Sequence, residues 1–281
     1  MTTLAFDHCR NLLREADYDR HASLAFLAEK PGNAAAALYA FDAEIARIPL
    51  LVSEPAPGEI RMQWWREVAT GERESGGNPV GECLRWAIEA NQWPAAAFER
   101  YFDARIGDLY NDPMPDRVSF EGYAGDTVSS LLRLVAIAAG AGPGTPLDNA
   151  CGHAGIGMAV ARCLQAVATD RKRQRVMIPA DILAATGLDA GTFLAETPDQ
   201  RHFAAVEAFS AYGADHFSEA RAAASNIDPV GRLALVSVAP SVRLVEKAMR
   251  NPQMVLSGNL HQSPLASFWR MWRASRSERS I

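Results

Sequence analysis

Residues 33–52 read NAAAALYAFDAEIARIPLLV, from Asn33 to Val52. Apolar side chains recur there at intervals of three and four, the spacing of one side of a helix, and not at the alternation of a strand. The same period extends outward in both directions, over stretches near 3–29, 58–70, 81–91, 94–110, 120–140, 147–168, 199–224 and 229–250. Breakers fall between them: Pro31-Gly32, Pro55-Ala56-Pro57-Gly58, Gly76-Gly77-Asn78-Pro79, Asp112-Pro113-Met114-Pro115 and Gly140 through Pro146. Pro57 suits the first position of the helix that carries Trp64 and Trp65. With no β-hairpin signal and no repeat of about 20–50 residues, the pattern predicts an all-α compact bundle and not a solenoid.

The chain has 281 residues, 48% of them hydrophobic and 22% charged, which is enough apolar material for one sizeable core and too little charge for a disordered chain. No stretch reads as a linker, so one domain over 1–281 is expected. A net charge of -5 argues against a nucleic-acid partner, because neutralising phosphates needs a basic face. The longest apolar run, Leu131 to Ala141, contains Arg133 and is far shorter than the ~20 residues of a membrane span. Met1 to Arg20 is charged from Asp7 onward and lacks the apolar block of a signal peptide, which predicts a cytoplasmic protein. Cys9, Cys83, Cys151 and Cys163 have no Cys-x-x-Cys spacing and read as reduced core residues.

Generic chemical motifs are sparse. The six histidines, at 8, 21, 153, 202, 216 and 261, show no ligand spacing on one helix face. Gly155-Ile156-Gly157 is a fragment of a phosphate-binding fingerprint, but it lies inside a helical stretch with no strand before it, so close helix packing is the reading. Neither a nucleophile elbow nor a Walker A loop is present. Trp64 and Trp65 read as core-packing residues in preference to cofactor-binding ones, with one indole facing the interior and the other packed on a neighbouring helix or exposed.

Two segments carry more. The first runs Leu38-Tyr39-Ala40-Phe41-Asp42-Ala43-Glu44-Ile45-Ala46-Arg47, then Val52-Ser53-Glu54-Pro55 and Arg61-Met62-Gln63-Trp64-Trp65. It resembles the opening site helix of the squalene/phytoene synthase family. The second runs from Gly155 through Ala166-Val167-Ala168-Thr169-Asp170-Arg171-Lys172-Arg173-Gln174-Arg175-Val176-Met177-Ile178-Pro179. It resembles the family's second site helix and the strap that leaves it. Tyr123 to Leu134 resembles the helix between them, so the likeness covers roughly residues 5–275. It implies the isoprenoid synthase fold, an α-helical bundle around a central apolar cavity.

Enzymes of that family join two prenyl diphosphates head to head, and diphosphate leaves only when Mg²⁺ neutralises its developing charge. Magnesium wants oxygen ligands, so two facing helices each present carboxylates. On this resemblance the first aspartate cluster falls on Ala46, Arg47 and Leu50. In the second helix the leading aspartate falls on Ala166 and the next acid on Thr169, leaving Asp170; neighbouring amide positions hold Ala159 and Arg162. Glu44 sits about 200° from Ala46 on a helix and faces elsewhere. Glu54 returns to the site face only if the helix continues to Pro55. Asp170 and Glu54 are therefore the two weak metal candidates, and no full magnesium cluster is expected. Tyr39, Arg47, Arg162, Arg173 and Arg175 are candidate ligand-binding residues for a metal-free diphosphate site, against the alternative of a solvated basic loop.

One branch of the family resembles the chain more closely: the respiratory complex I (NADH:quinone oxidoreductase) assembly factors. The shared features are Ala40-Phe41, Glu44-Ile45-Ala46, Val52-Ser53-Glu54, Arg61-Met62-Gln63, Tyr123 with Ser129-Ser130-Leu131-Leu132, and Ile178-Pro179-Ala180-Asp181-Ile182, together with the missing aspartates. The resemblance implies a pseudoenzyme that acts as an assembly or scaffold protein, with a complex I subunit or assembly intermediate as partner. Binding of a prenyl diphosphate or other isoprenoid lipid is a further implied property, and no cofactor is expected. The alternative is a Mg²⁺-dependent prenyl transferase acting on farnesyl or geranylgeranyl diphosphate. Ser267-Phe268-Trp269-Arg270-Met271-Trp272-Arg273 interleaves aromatics with arginines and reads equally as a final helix docked on the bundle or as peripheral contact with the inner face of a membrane.

Overall fold

The computed structural model describes residues 3–195 and 197–277; the expected span 1–281 also takes in residues 1, 2, 196 and 278–281, which lie outside the described residues. Every regular element among the described residues is helical. The first half comprises α1 (Thr3–Ala16), α2 (Tyr18–Ser23), α3 (Glu29–Leu51), α4 (Pro55–Thr70), α5 (Pro79–Asn91), α6 (Ala95–Ile106), α7 (Arg117–Ala124) and α8 (Ser130–Ala138). The second comprises α9 (Thr145–Lys172), α10 (Ala180–Ala185), α11 (Ala190–Ala195), α12 (Gln200–Ala224), α13 (Pro229–Ala234), α14 (Ala239–Arg250), α15 (Pro252–Leu256) and α16 (Pro264–Ser275).

Helix α3 organises the first half because its stretch from Ala34 to Phe41 is apolar on all sides. Ala34 through Phe41 are each at most 1% exposed, so a helix of small residues is enclosed by α1, α5, α8 and α4. Phe41 is the hub of an aromatic cluster, with Tyr101 at 5.2 Å, Trp65 at 5.6 Å, Phe102 at 5.7 Å and Phe98 at 6.1 Å between ring centroids. Burying such a ring contributes about 1.5–3 kcal/mol before the edge-to-face geometry is counted. Trp65 is thus a core residue, whereas the half-buried Trp64 packs on it at 4.9 Å.

Helix α9 organises the second half, packed along α12 and against α14. Its glycines permit this. A Cβ on Gly157 would stand 2.6 Å from the Phe217 ring of α12, and one on Gly155 would stand 2.5 Å from the Ser129 backbone. Close packing, and not phosphate binding, accounts for Gly155-Ile156-Gly157.

The helix boundaries depart from the sequence expectation at identifiable places. The stretch 3–29 divides after Ala16, because the Asp17 carboxylate accepts from the Arg20 backbone N–H at 3.1 Å and starts α2 afresh. The stretch 120–140 holds a π-helical turn at Gly125–Ser129, which brings Ser129 against α9, where its hydroxyl donates to the Gly152 carbonyl at 2.9 Å. The stretch 229–250 is interrupted at 236–238, ahead of Pro240 in the first turn of α14. Pro55 and not Pro57 opens α4, and Gly71 ends it at φ 88°, with its N–H on Glu67 O at 3.0 Å. Helices α10, α11 and α15 were absent from the periodic stretches, being five or six residues long and too short to show a period.

Candidate functional site: a cavity between two helices

A cavity of about 590 Å³ separates the C-terminal half of α3 from the middle of α9. From α3 it is lined by Asp42, Ala43, Ala46, Arg47 and Leu50, and from α9 by Met158, Arg162 and Gln165. Asp17 to Arg20 close one side, and Ser237, Ser241, His261 and Ser267 the other. The size suits a small-molecule site. No bulky side chain has grown in from Ala46, so the central cavity remains open.

The polar floor of this cavity is a buried ion-pair network centred on Asp42, which is 1% exposed. Arg105 Nη2 and Tyr101 Oη, one turn apart on α6, each donate to Asp42 Oδ1 at 2.6 Å. Arg20 Nη1 donates to Oδ2, and Arg162 Nη1 reaches the same oxygen from α9 at 3.3 Å. Burial pushes the Asp42 carboxyl up, but Arg105, Arg20, Arg162 and the Tyr101 hydroxyl together outweigh it and hold the group well below the usual carboxylate range. Arg20 lies over the Tyr39 ring at 4.3 Å, and its Nη2 is buried without a hydrogen-bond acceptor in the protein.

Behind Asp42 a second carboxylate continues the chain of charges. Asp108 accepts from Arg175 Nη2 at 2.6 Å and from Arg105 Nη1 at 3.0 Å, with the Tyr123 hydroxyl also at 3.0 Å. Removing one member of such a buried set strands the others, which is where its energetic weight lies.

Ala46, Arg47, Leu50 and Arg162 from the sequence reading all line the cavity. Arg47 is paired with Glu44 at 3.1 Å on the exposed rim, and Glu44 itself faces a separate cleft beside Trp64. Tyr39 lies fully buried beneath the floor, with its hydroxyl pushed up by burial. Ala166 and Thr169 are outside the lining. Arg173 and Arg175 are structural ties and not cavity residues: Arg173 Nη2 donates to Pro49 O at 2.7 Å, holding the end of α3, and Arg175 serves Asp108.

Both metal candidates lie elsewhere. Helix α3 stops at Leu51, and Glu54 is an exposed residue at the entry to α4, so the helical continuation that its role required does not occur. Asp170 lies over a small pocket formed with Cys163, Arg175 and Phe193, and burial raises its pKa against the pull of Arg175 and Arg173. Neither tryptophan faces the cavity: Trp64 and Trp65 border the cleft beside Glu44.

The carboxylates that do line the cavity are Asp17, Asp19 and Asp42, and each is engaged. Asp17 caps α2 and pairs with Arg162 Nη2 at 3.0 Å, and Asp42 carries the network. The Asp19 carboxyl is shifted upward by burial, against an opposing hydrogen bond with Ser267. Arg20, Arg47 and Arg162 stand among them. Among the described residues no three His, Cys, Asp or Glu side chains converge as metal ligands. This donor set does not fit a magnesium-diphosphate cluster, because the oxygens of Asp17 and Asp42 are taken by guanidinium, hydroxyl and backbone donors and Asp19 stands alone beside them.

The sequence reading missed Arg20, Asp42, Tyr101 and Arg105. A signal existed: one aspartate inside a stretch as apolar as Ala34–Ile45 must be paired if it is buried, and Tyr101 and Arg105 are spaced to share one helix face.

The bundle, the cavity between α3 and α9, and the order of the site helices define an isoprenoid synthase-type protein. The squalene/phytoene synthase family model matches residues 13–270, and the chain belongs to that family. It is similar to "NADH dehydrogenase (ubiquinone) complex I, assembly factor 6" of Rattus norvegicus, at 27% identity over 273 residues, covering 95% of this chain and 81% of the relative. Among solved structures it resembles the squalene synthase of Alicyclobacillus acidocaldarius, with TM-score 0.74, 16% identity and coverage of 89% and 94%. It also resembles a ligand-bound dehydrosqualene synthase, with TM-score 0.80, 12% identity and coverage of 97% of each chain. At those identities the structures establish the fold. No helix among the described residues is long and apolar enough to cross a membrane.

Proposed function

We propose that this chain is a non-catalytic member of the squalene/phytoene synthase family that serves in assembly of respiratory complex I at the cytoplasmic side of the membrane. The observation that carries the reading is the exchange of metal-binding carboxylates for a protein-only ion-pair network: Ala46, Arg47 and Leu50 stand on the α3 wall, and Arg162 of α9 is tied to Asp42 of α3. The rat relative's name, which identifies a complex I assembly factor, supports the assembly role. No metal cofactor takes part in this function. The partner is a complex I subunit or an assembly intermediate.

The retained cavity serves as a binding site for an isoprenoid lipid with an anionic head. Arg20 Nη2, buried at its wall with no acceptor in the protein, and Arg47 at its rim supply positive charge for oxygen anions without a metal. Deleting the gene is expected to lower NADH:quinone oxidoreductase activity while isoprenoid products stay unchanged. Purified protein given farnesyl diphosphate and Mg²⁺ is expected to release no diphosphate; release that a chelator abolishes overturns the reading in favour of a prenyl transferase.

A further inference from the structure

Helix α16 buries one side and exposes an unusually apolar other side. Ser263 caps it, and Ser267 and Met271 are its buried residues, each at most 1% exposed. Met271 closes a small cluster with Ala22 and Val236. At 100° per residue, Leu265, Trp269, Trp272, Arg273 and Arg276 point away from that side. Leu265 is 78% exposed and Trp269 55%. Trp269 and Trp272 stack at 4.6 Å, the Arg276 guanidinium lies over Trp272 at 4.5 Å, and Phe268 leans on Phe26 at the edge of the face.

The charge on this helix has a single sign. Pro264–Ser275 contains no acidic residue, and Arg270 and Arg273 within it are followed by Arg276, in a chain whose net charge is -5. The adjoining part of α14 adds Arg243, which is paired with Glu246 at 2.9 Å. The N-terminal end of α16 borders the cavity with its buried side: Pro264 and Ser267 line it, across from Leu50 of α3. Tryptophans with arginines beside them match the boundary between headgroups and acyl chains, where the rings enter and the guanidinium groups reach phosphate.

We infer that α16 is a membrane-docking element that meets a bilayer surface rich in anionic lipid through Leu265, Trp269 and Trp272 and the flanking Arg273 and Arg276. This goes beyond the assembly reading and does not depend on it, because a surface helix docks in the same way whether or not the cavity is catalytic. Of the surfaces an apolar face can meet, an anionic bilayer matches both halves of the pattern, since a neutral apolar partner leaves the arginines unmatched.

Flotation of the full-length protein with phosphatidylcholine vesicles, with and without phosphatidylglycerol, tests this. The protein is expected to float with phosphatidylglycerol vesicles and to remain behind with phosphatidylcholine alone. Leu265→Ser with Trp269→Ser lowers capture by about tenfold or more, and Arg273→Gln and Arg276→Gln each lower it about fivefold. All four side chains point outward, and circular-dichroism melting curves matching wild type confirm that the variants are folded. Absence of capture, or capture unchanged in the variants, overturns the proposal. A dimer seen in sedimentation velocity that Leu265→Ser with Trp269→Ser abolishes, from protein that ignores both vesicle types, assigns the face to a second copy of the chain and overturns it equally.

Discussion

Arg162 Nη1 on α9 stands 3.3 Å from Asp42 Oδ2 on α3, so the two walls of the cavity are joined by a salt bridge. In a magnesium-dependent site each wall carries carboxylates, and the walls repel one another until metal binds between them. Here the walls attract. The bundle is closed around its cavity by its own side chains, with Arg162 reaching Asp17 as well as Asp42.

The two partners of this bridge should respond differently to removal. Asp42→Ala leaves Arg20 and Arg105 buried at 2% and 6% exposure without their shared acceptor, and should cost about 3–5 kcal/mol in urea unfolding. Arg162→Ala leaves Asp42 still held by Arg20, Arg105 and Tyr101, and Arg162 is partly exposed, so about 1 kcal/mol is expected. Equal losses in the two variants would show that the network is not centred on Asp42.

The same network sets an acid limit on stability. The folded-state pKa of Asp42 lies well below its unfolded value, because Arg105, Arg20 and Arg162 outweigh the effect of burial. Its contribution is thus fully present above the unfolded carboxylate pKa of about 4 and is lost as pH falls from there toward the folded value. Thermal melts from pH 6 down to pH 2 should show a Tm decline below about pH 4 that is shallower in Asp42→Asn. Parallel declines in the two proteins would assign the acid sensitivity to other carboxylates.

Packing of α9 on α12 predicts a steric defect. Gly157→Ala brings a methyl group to within 2.6 Å of Phe217, which is 2% exposed and has no free space to enter. Overpacking of that kind costs about 1–3 kcal/mol. Gly122→Ala, with open space at its Cβ, is the control and should be neutral or slightly stabilising through better helix propensity.

What the chain reveals before folding follows physical range. Helices α3, α9 and α12 were legible because a buried stripe repeated over twenty or more residues is a local signal. The cavity lining at Ala46, Arg47, Leu50 and Arg162 was legible through the family resemblance. The partners of Asp42 were not, since Tyr101 and Arg105 lie 59 and 63 positions away and nothing local couples them. Glu54 was misplaced for the opposite reason: whether it reached the site depended on where one helix stopped, and helix ends are the least determined feature of a periodic pattern. Helix α16 gave an ambiguous pattern because its apolar residues serve two faces, Met271 the core and Trp269 the outside.

The exchange of carboxylates for arginines makes a last prediction about metal. A cation bound to the folded state alone at a hundredfold excess over its Kd adds about 2.7 kcal/mol, which in a chain of this size raises Tm by several degrees. With Asp17 and Asp42 already paired to Arg162, Arg20 and Arg105, Mg²⁺ would have to displace guanidinium groups to gain ligands. Millimolar Mg²⁺ or an excess of chelator should therefore leave Tm unchanged. Farnesyl diphosphate should raise it with or without chelator, and Arg47→Ala should weaken that response, as should Ala46→Phe, which fills the cavity from α3 without touching the network. A farnesyl diphosphate shift that requires Mg²⁺ would mean that the carboxylates of the cavity release their arginines when ligand arrives, and would return the protein to the metal-dependent members of its family.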